Sequence, residues 1–143
     1  MDPIIRVQNV TKEYRPGKVA VPALRGVDVT VQAGEFIALV GPSGSGKSTL
    51  LNLLGGLDRP TAGDVTVAGA TITKLNDQAL AQYRQKTVGM VFQSFNLLPH
   101  LTALQNATLP IVLAGGDPKA GARTAEDLLK RVGLGDRLYH RPS

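Results

Sequence analysis

Cysteine is absent from this 143-residue chain. That excludes disulfides and thiolate metal sites, and it suits a reducing compartment. Tryptophan is absent too, and aromatic residues make up only 4%, so any core must be aliphatic. The start, MDPIIRVQNV, has neither a basic leader nor a long apolar run, and no signal peptide is expected there. Residues 87–116 contain no Asp, Glu, Lys or Arg. A membrane-spanning helix needs about 20 predominantly apolar residues. This stretch instead holds Gln93, Ser94, Asn96, Pro99, His100, Gln105, Asn106 and Pro110. Those groups are too many for hydrocarbon, and a soluble chain is expected.

What remains is ordinary in bulk. Hydrophobic residues are 43% and charged residues 19%, as in a globular protein of one domain. The net charge of +5 favours anionic partners such as nucleotides, nucleic acid or an anionic membrane surface, without choosing among them. No internal repeat and no low-complexity segment is visible.

Along the chain, Ile4 to Val10 is expected as a strand. VDVTV (27–31) alternates apolar and polar residues, the period of a half-buried strand, and QAG (32–34) marks a turn. FIALV (36–40) differs in kind, because it is continuously apolar, as in a strand covered on both faces of a parallel sheet. After it come GPSGSG and then STLLNLL. Leu50, Leu51, Leu53 and Leu54 make that helix apolar nearly all round, so it is expected to be buried. DRPTAG (58–63) is turn chemistry. VTV (65–67) reads as another strand, closed by Gly69. A polar helix follows from about Asp77 to Gln85 with Leu80 and Tyr83 on one face, then a second apolar strand, TVGMVF (87–92), with Gln93 at its end. The rest looks helical. Asp117 caps a helix with Pro118 at its first position. Ala122, Ala125, Leu128, Leu129 and Val132 form its apolar stripe, and Gly133 ends it.

GPSGSGKST (41–49) carries the chemistry. Gly41, four residues, then Gly46, Lys47 and Ser48 match the phosphate-loop pattern. A triphosphate needs several backbone N–H groups aimed at one anion, and glycines let the backbone turn and approach closely enough. The helix that follows adds its positive end. Lys47 supplies a mobile cation for the β- and γ-phosphates, Ser48 a hydroxyl for Mg²⁺, and Thr49 reaches the α-phosphate region. Chance alone gives such a match on the order of 1% of the time at ordinary residue frequencies. Position sharpens it, since the motif follows an apolar run and opens a helix. A GTPase would carry an Asp-x-x-Gly switch and an Asn-Lys-x-Asp base reader, and neither occurs. No second apolar strand ends in the Asp that normally helps hold Mg²⁺.

The run LRGVDVTVQAGEFIALVGPSGSGKSTLLNLLGGLDRPTAGDVTVAG resembles the ATP-binding subunit of ABC transporters. VGMVFQSFNLLPHLTALQN resembles that family's Q-loop region, and the wording is similar to the lipoprotein-release and macrolide-export subfamily. The resemblance covers essentially the whole chain. It implies an α/β fold, the N-terminal portion of a P-loop NTPase of the ABC ATPase type. That portion comprises an antiparallel β subdomain, an incomplete parallel core sheet and part of the helical subdomain. Residues 1–93 would form the β subdomain and phosphate-loop core, and residues 94–143 the start of the helical subdomain.

The resemblance also implies roles. The cofactors would be ATP and Mg²⁺. Tyr14, in VTKEYRPG, would stack on adenine; taken alone it equally fits a half-exposed tyrosine at a strand end. Gly41, Pro42, Ser43, Gly44, Ser45, Gly46, Lys47, Ser48 and Thr49 would cradle the phosphates. Gln93 would reach Mg²⁺ and the attacking water, or else be a strand-terminal glutamine facing solvent. Phe95, Leu97, Leu98 and Leu101 would dock a short helix of the membrane subunit, or else pack within a helical subdomain. His100 and His140 read as structural. Expected partners are transmembrane permease subunits and a second ATP-binding subunit, with the protein peripheral on the cytoplasmic face of the cell membrane.

The signature LSGGQ, the Mg²⁺-binding Asp, the catalytic Glu and the switch His are not in this chain. The resemblance therefore implies a truncated ATPase that at best binds nucleotide alone, with an apolar sheet edge laid bare. A rival is a non-catalytic module that docks a membrane subunit. A nucleic-acid-associated ABC ATPase is a third, but the basic residues are scattered and no nucleic acid is expected.

Overall fold

The computed structural model describes residues 2–142. They divide into two compact units, residues 1–90 and 91–143.

In the first unit, β-branched and alternating segments make an antiparallel sheet in the order β2-β1-β3-β4. The strands are β1 (Ile5–Tyr14), β2 (Val21–Val31), β3 (Ala62–Val67) and β4 (Ala70–Thr71). β1 is central and pairs with β2 from Ile5↔Val31 to Tyr14↔Val21, and with β3 from Ile5↔Val67 to Thr11↔Ala62. β1 and β2 are both longer than the sequence reading expected. β1 runs on to Tyr14, and β2 starts at Val21, because each supplies the other's ladder bonds through several register shifts.

Helices α1 (Lys47–Leu54) and α2 (Asp77–Thr87) complete this unit. Val7, Val10, Leu24, Leu50, Leu53 and Val65 form the centre of its core. Leu80 and Tyr83 enter the same core from α2, as their spacing predicted. Asn76 caps α2 by accepting from the Ala79 N–H at 2.9 Å. α1 is buried on one side only. Leu50 and Leu53 are inside, whereas Leu51 is half exposed.

The two apolar runs read as strands, FIALV (36–40) and TVGMVF (87–92), form no ladder. Residues 36–40 and 88–92 have no regular secondary structure, and Thr87 is the last residue of α2. A strand exists only with a neighbour to share its N–H and C=O groups. No described strand pairs with either run. Phe36 and Val40 are almost fully exposed as a result. The 143-residue chain is therefore expected to bind a hydrophobic dye such as ANS and to elute above its monomer mass at rising concentration. A dye-silent monomer with sharp reversible melting would contradict this.

The second unit holds α3 (Ala103–Leu113) and α4 (Pro118–Arg131). Thr102 and Gln105 form a reciprocal capping box on α3. Asp117 caps α4 by accepting from the Ala120 N–H at 2.7 Å, with Pro118 at the first position. Only Ala125 of the expected α4 stripe is fully buried, while Leu128 and Val132 are exposed. Gly121 is buried instead, because α3 approaches so closely that a Cβ there would lie 3.0 Å from Ile111 Cγ2.

Candidate functional site

Residues 43–49 and Ala23 of β2 line a cavity of about 220 Å³ at the amino end of α1. Gly46 is the N-cap of α1, with φ 87° and no side-chain cap bond. The first N–H groups of a helix have no intrahelical partner, so they remain available to an anion. Gly46 is required twice over. Its φ lies in the left-handed region, and a Cβ would come within 2.6 Å of the Ala23 carbonyl oxygen and 2.7 Å of Leu24 Cδ2. The loop is thus pressed against β2, and that strand fixes where the cavity opens.

Lys47 folds back over the loop. Its Nζ donates to the Gly41 carbonyl at 2.8 Å, to the Pro42 carbonyl at 2.7 Å and to Ser45 Oγ at 3.2 Å. These are neutral acceptors that an anionic oxygen would outcompete. Neither the first turn of α1 nor the cavity lining contains an acidic residue. Ser48 and Thr49 reach the lining from the first turn, with the Ser48 side chain exposed. Electrostatically the cavity is a cationic, donor-rich hollow suited to phosphate.

Tyr14 is the last residue of β1 and lies outside that lining. Its hydroxyl donates to Asp58 Oδ2 at 2.9 Å. Lys12 Nζ stands 4.8 Å from its ring centroid and donates to Asp58 Oδ1 at 2.6 Å and to the Arg59 carbonyl at 2.7 Å. Partial burial pushes the Asp58 carboxyl up. The bonds from Lys12, the Arg59 N–H and Tyr14 outweigh that, and its pKa is lowered. A lowered folded pKa adds stability above the unfolded value near 4 and loses it as pH falls through the folded one. The stability gap between the parent and Asp58→Asn should therefore be wide at pH 6 and narrow towards pH 3. Chemical denaturation at the two pH values checks this, and a gap independent of pH would refute it.

Gln93 lies in the second unit and is exposed, as are Phe95, Leu97 and Leu98, while Leu101 is half-buried. His100 and His140 are exposed. Among the described residues no three His, Cys, Asp or Glu side chains gather as a metal site. No described helix is long and apolar enough to cross a membrane. Sequence reasoning missed Ala23, Lys12 and Asp58, which only the β1–β2 register and the loop after α1 bring into place.

Residues 24–143 match the ABC transporter family. The chain belongs to that family. Among curated proteins, an uncharacterised ABC transporter ATP-binding protein of Thermotoga maritima is 52% identical over 143 residues, covering all of this chain and 61% of that protein. A lipoprotein-releasing system ATP-binding protein, LolD, of Anaeromyxobacter dehalogenans is 52% identical over 140 residues, covering 97% of this chain and 59% of that protein. The macrolide export ATP-binding/permease protein MacB of Marinobacter nauticus is 47% identical over 141 residues, covering 99% and 22%. A solved dimeric ATP-binding cassette in a post-hydrolysis state, bound to ADP and Pi, superposes with a TM-score of 0.89 at 39% identity. That match covers 96% of this chain and 61% of the solved one. This ABC family chain thus spans about three-fifths of the length of the ATP-binding proteins and cassettes it matches, and it has the fold of an N-terminal cassette portion.

Proposed function

We propose that this chain is the phosphate-holding part of a transporter ATPase and that it binds Mg·ATP through residues 41–49. The observation that carries this is the Gly46–Lys47 corner, a left-handed, uncapped helix start with an ammonium bonded only to neutral oxygens above it. The backbone of residues 43–48 would hold the β- and γ-phosphates, with Lys47 exchanging the Gly41 and Pro42 carbonyls for phosphate oxygens. Ser48 fits Mg²⁺, an ion that keeps several waters and takes few protein ligands beside substrate phosphates. When bound, the ion would neutralise phosphate charge. Tyr14 would stack on the base.

A whole protein of this family would pair with a second ATP-binding subunit and drive permease subunits from the cytoplasmic face of the membrane. The similarity to LolD and MacB proteins and the dimeric cassette support that reading. Among the described residues the cavity lining holds no Asp, Glu or His that could act as a general base, and a general base contributes about 10²–10⁴-fold to rates. A fluorescent ATP analogue with excess Mg²⁺ should bind the chain saturably and be displaced by ATP, with no phosphate release above buffer. Absence of saturable binding would remove the nucleotide reading. A non-catalytic docking module would then be favoured, on the exposure of Val91, Phe95, Leu97 and Leu98.

A further inference from the structure

Tyr14 is held at two points. Asp58 takes its hydroxyl at 2.9 Å. Lys12 Nζ sits 4.8 Å from the ring centroid. Lys12 is itself tied down, since its Nζ bonds both Asp58 Oδ1 at 2.6 Å and the Arg59 carbonyl at 2.7 Å. Asp58 Oδ1 also accepts from the Arg59 N–H at 2.7 Å. Three side chains 46 and 44 residues apart in sequence thus lock one another.

The ring nonetheless remains accessible. Tyr14 is 38% exposed, whereas the Lys12 side chain is 12% exposed. An exposed tyrosine at a strand end normally samples several rotamers, and ordering it on binding is unfavourable. Here that ordering is already done. The cation draws ring electron density towards itself, which suits stacking of an electron-rich purine on the opposite face. The location also fits. Tyr14 pairs with Val21, and Ala23, two residues along β2, lines the phosphate cavity. The two backbones are about 5 Å apart and each residue advances about 3.4 Å.

We propose that Lys12 and Asp58 are positioning residues of the nucleotide site, fixing the Tyr14 ring in advance as a platform for the base of ATP. This rests on the reading of Tyr14 as the base-stacking residue. Neither Lys12 nor Asp58 need touch the nucleotide; both act through the ring.

The test separates base from phosphate. Affinities of the full chain for Mg·ATP and for magnesium tripolyphosphate are measured by isothermal titration. The variants are Tyr14→Ala, Tyr14→Phe, Lys12→Met, Asp58→Asn and the two doubles that add Tyr14→Ala to Lys12→Met or Asp58→Asn. Tyr14→Ala should weaken ATP roughly 5-fold to 100-fold, the range for one stacked base, and leave tripolyphosphate unchanged. Lys12→Met and Asp58→Asn should each weaken ATP about 3-fold to 10-fold, the penalty of ordering one side chain on binding, again sparing tripolyphosphate. Tyr14→Phe keeps the packing, loses only the bond to Asp58, and should fall in that smaller range. In the Tyr14→Ala background the Lys12 and Asp58 substitutions should have no further effect.

If Tyr14→Ala leaves ATP affinity unchanged, the stacking reading falls and takes the proposal with it. If Tyr14→Ala weakens ATP but Lys12→Met and Asp58→Asn do not, the stacking reading stands and the positioning proposal fails. If the Lys12 and Asp58 variants weaken both ligands equally, they merely support the fold, and the proposal is overturned.

Discussion

Replacing Lys47 by Ala should weaken Mg·ATP binding roughly 10-fold to 100-fold. A hydrogen bond to a charged group contributes about 1.5–3 kcal/mol, and each 1.4 kcal/mol is tenfold in affinity. The side chain's present partners, two carbonyls and a hydroxyl, are neutral, so phosphate oxygens displace them at a net gain. Those partners are exposed, and water replaces the lysine there, so the fold should change little. Lys47→Arg should rescue poorly. A planar fork cannot reproduce a compact ammonium lodged over a tight loop. Titration with a fluorescent ATP analogue reads the affinity. A second readout is thermal: ATP should raise the melting temperature of the parent chain and fail to raise that of Lys47→Ala at the same concentration. Equal affinity in both proteins would mean that residues 41–49 are only a turn leading into α1.

The second large effect is on stability. Leu53 is 1% exposed and faces the sheet from α1, while Leu51, two positions earlier, is 49% exposed. Truncating a fully buried Leu to Ala typically costs about 2–5 kcal/mol, through lost transfer energy and the cavity left behind. Leu53→Ala should therefore lower stability by about 3 kcal/mol. In a unit of some 90 residues that is roughly a 12–24 °C fall in melting temperature. Leu51→Ala should cost less than about 1 kcal/mol. Urea denaturation of both variants decides it. Similar losses would show that Leu51 is covered in solution and that the one-sided burial of α1 is wrong.

The contrast between those leucines shows what was legible in the sequence. The phosphate loop could be read because its chemistry fixes residue types at fixed spacings, as at Gly41, Gly46, Lys47 and Ser48. Leu80 and Tyr83 were legible for the same kind of reason, since helical period puts them on one face. Asp117 before Pro118 announced α4 through cap chemistry that is local to four residues. The Thr102–Gln105 capping box is an equally local signal, Ser/Thr followed three residues later by Glu/Gln. FIALV misleads for a different reason. An apolar run reports what a strand requires around it, not whether that surrounding is supplied, and Phe36 stands 98% exposed. Leu51 misleads likewise, because apolar character all round a helix does not say which side meets a sheet. The Lys12–Tyr14–Asp58 lock was invisible. Its members lie 46 and 44 residues apart, and no period or motif joins them; only the route of the chain from α1 back to β1 does.

The far end of α1 has its own anchorage. Tyr83 donates its hydroxyl to the Leu54 carbonyl at 2.6 Å, and Arg84 donates to the Gly56 carbonyl at 2.8 Å. α2 thereby grips the carbonyl end of the helix whose amide end borders the cavity. A rod clamped at its tail cannot slide along its axis when its head is loaded. The junction itself is crowded: a Cβ on Gly55 would lie 2.6 Å from Met90 Sδ and one on Gly56 2.8 Å from Leu80 Cδ1, so side chains pack directly against the backbone between the two helices.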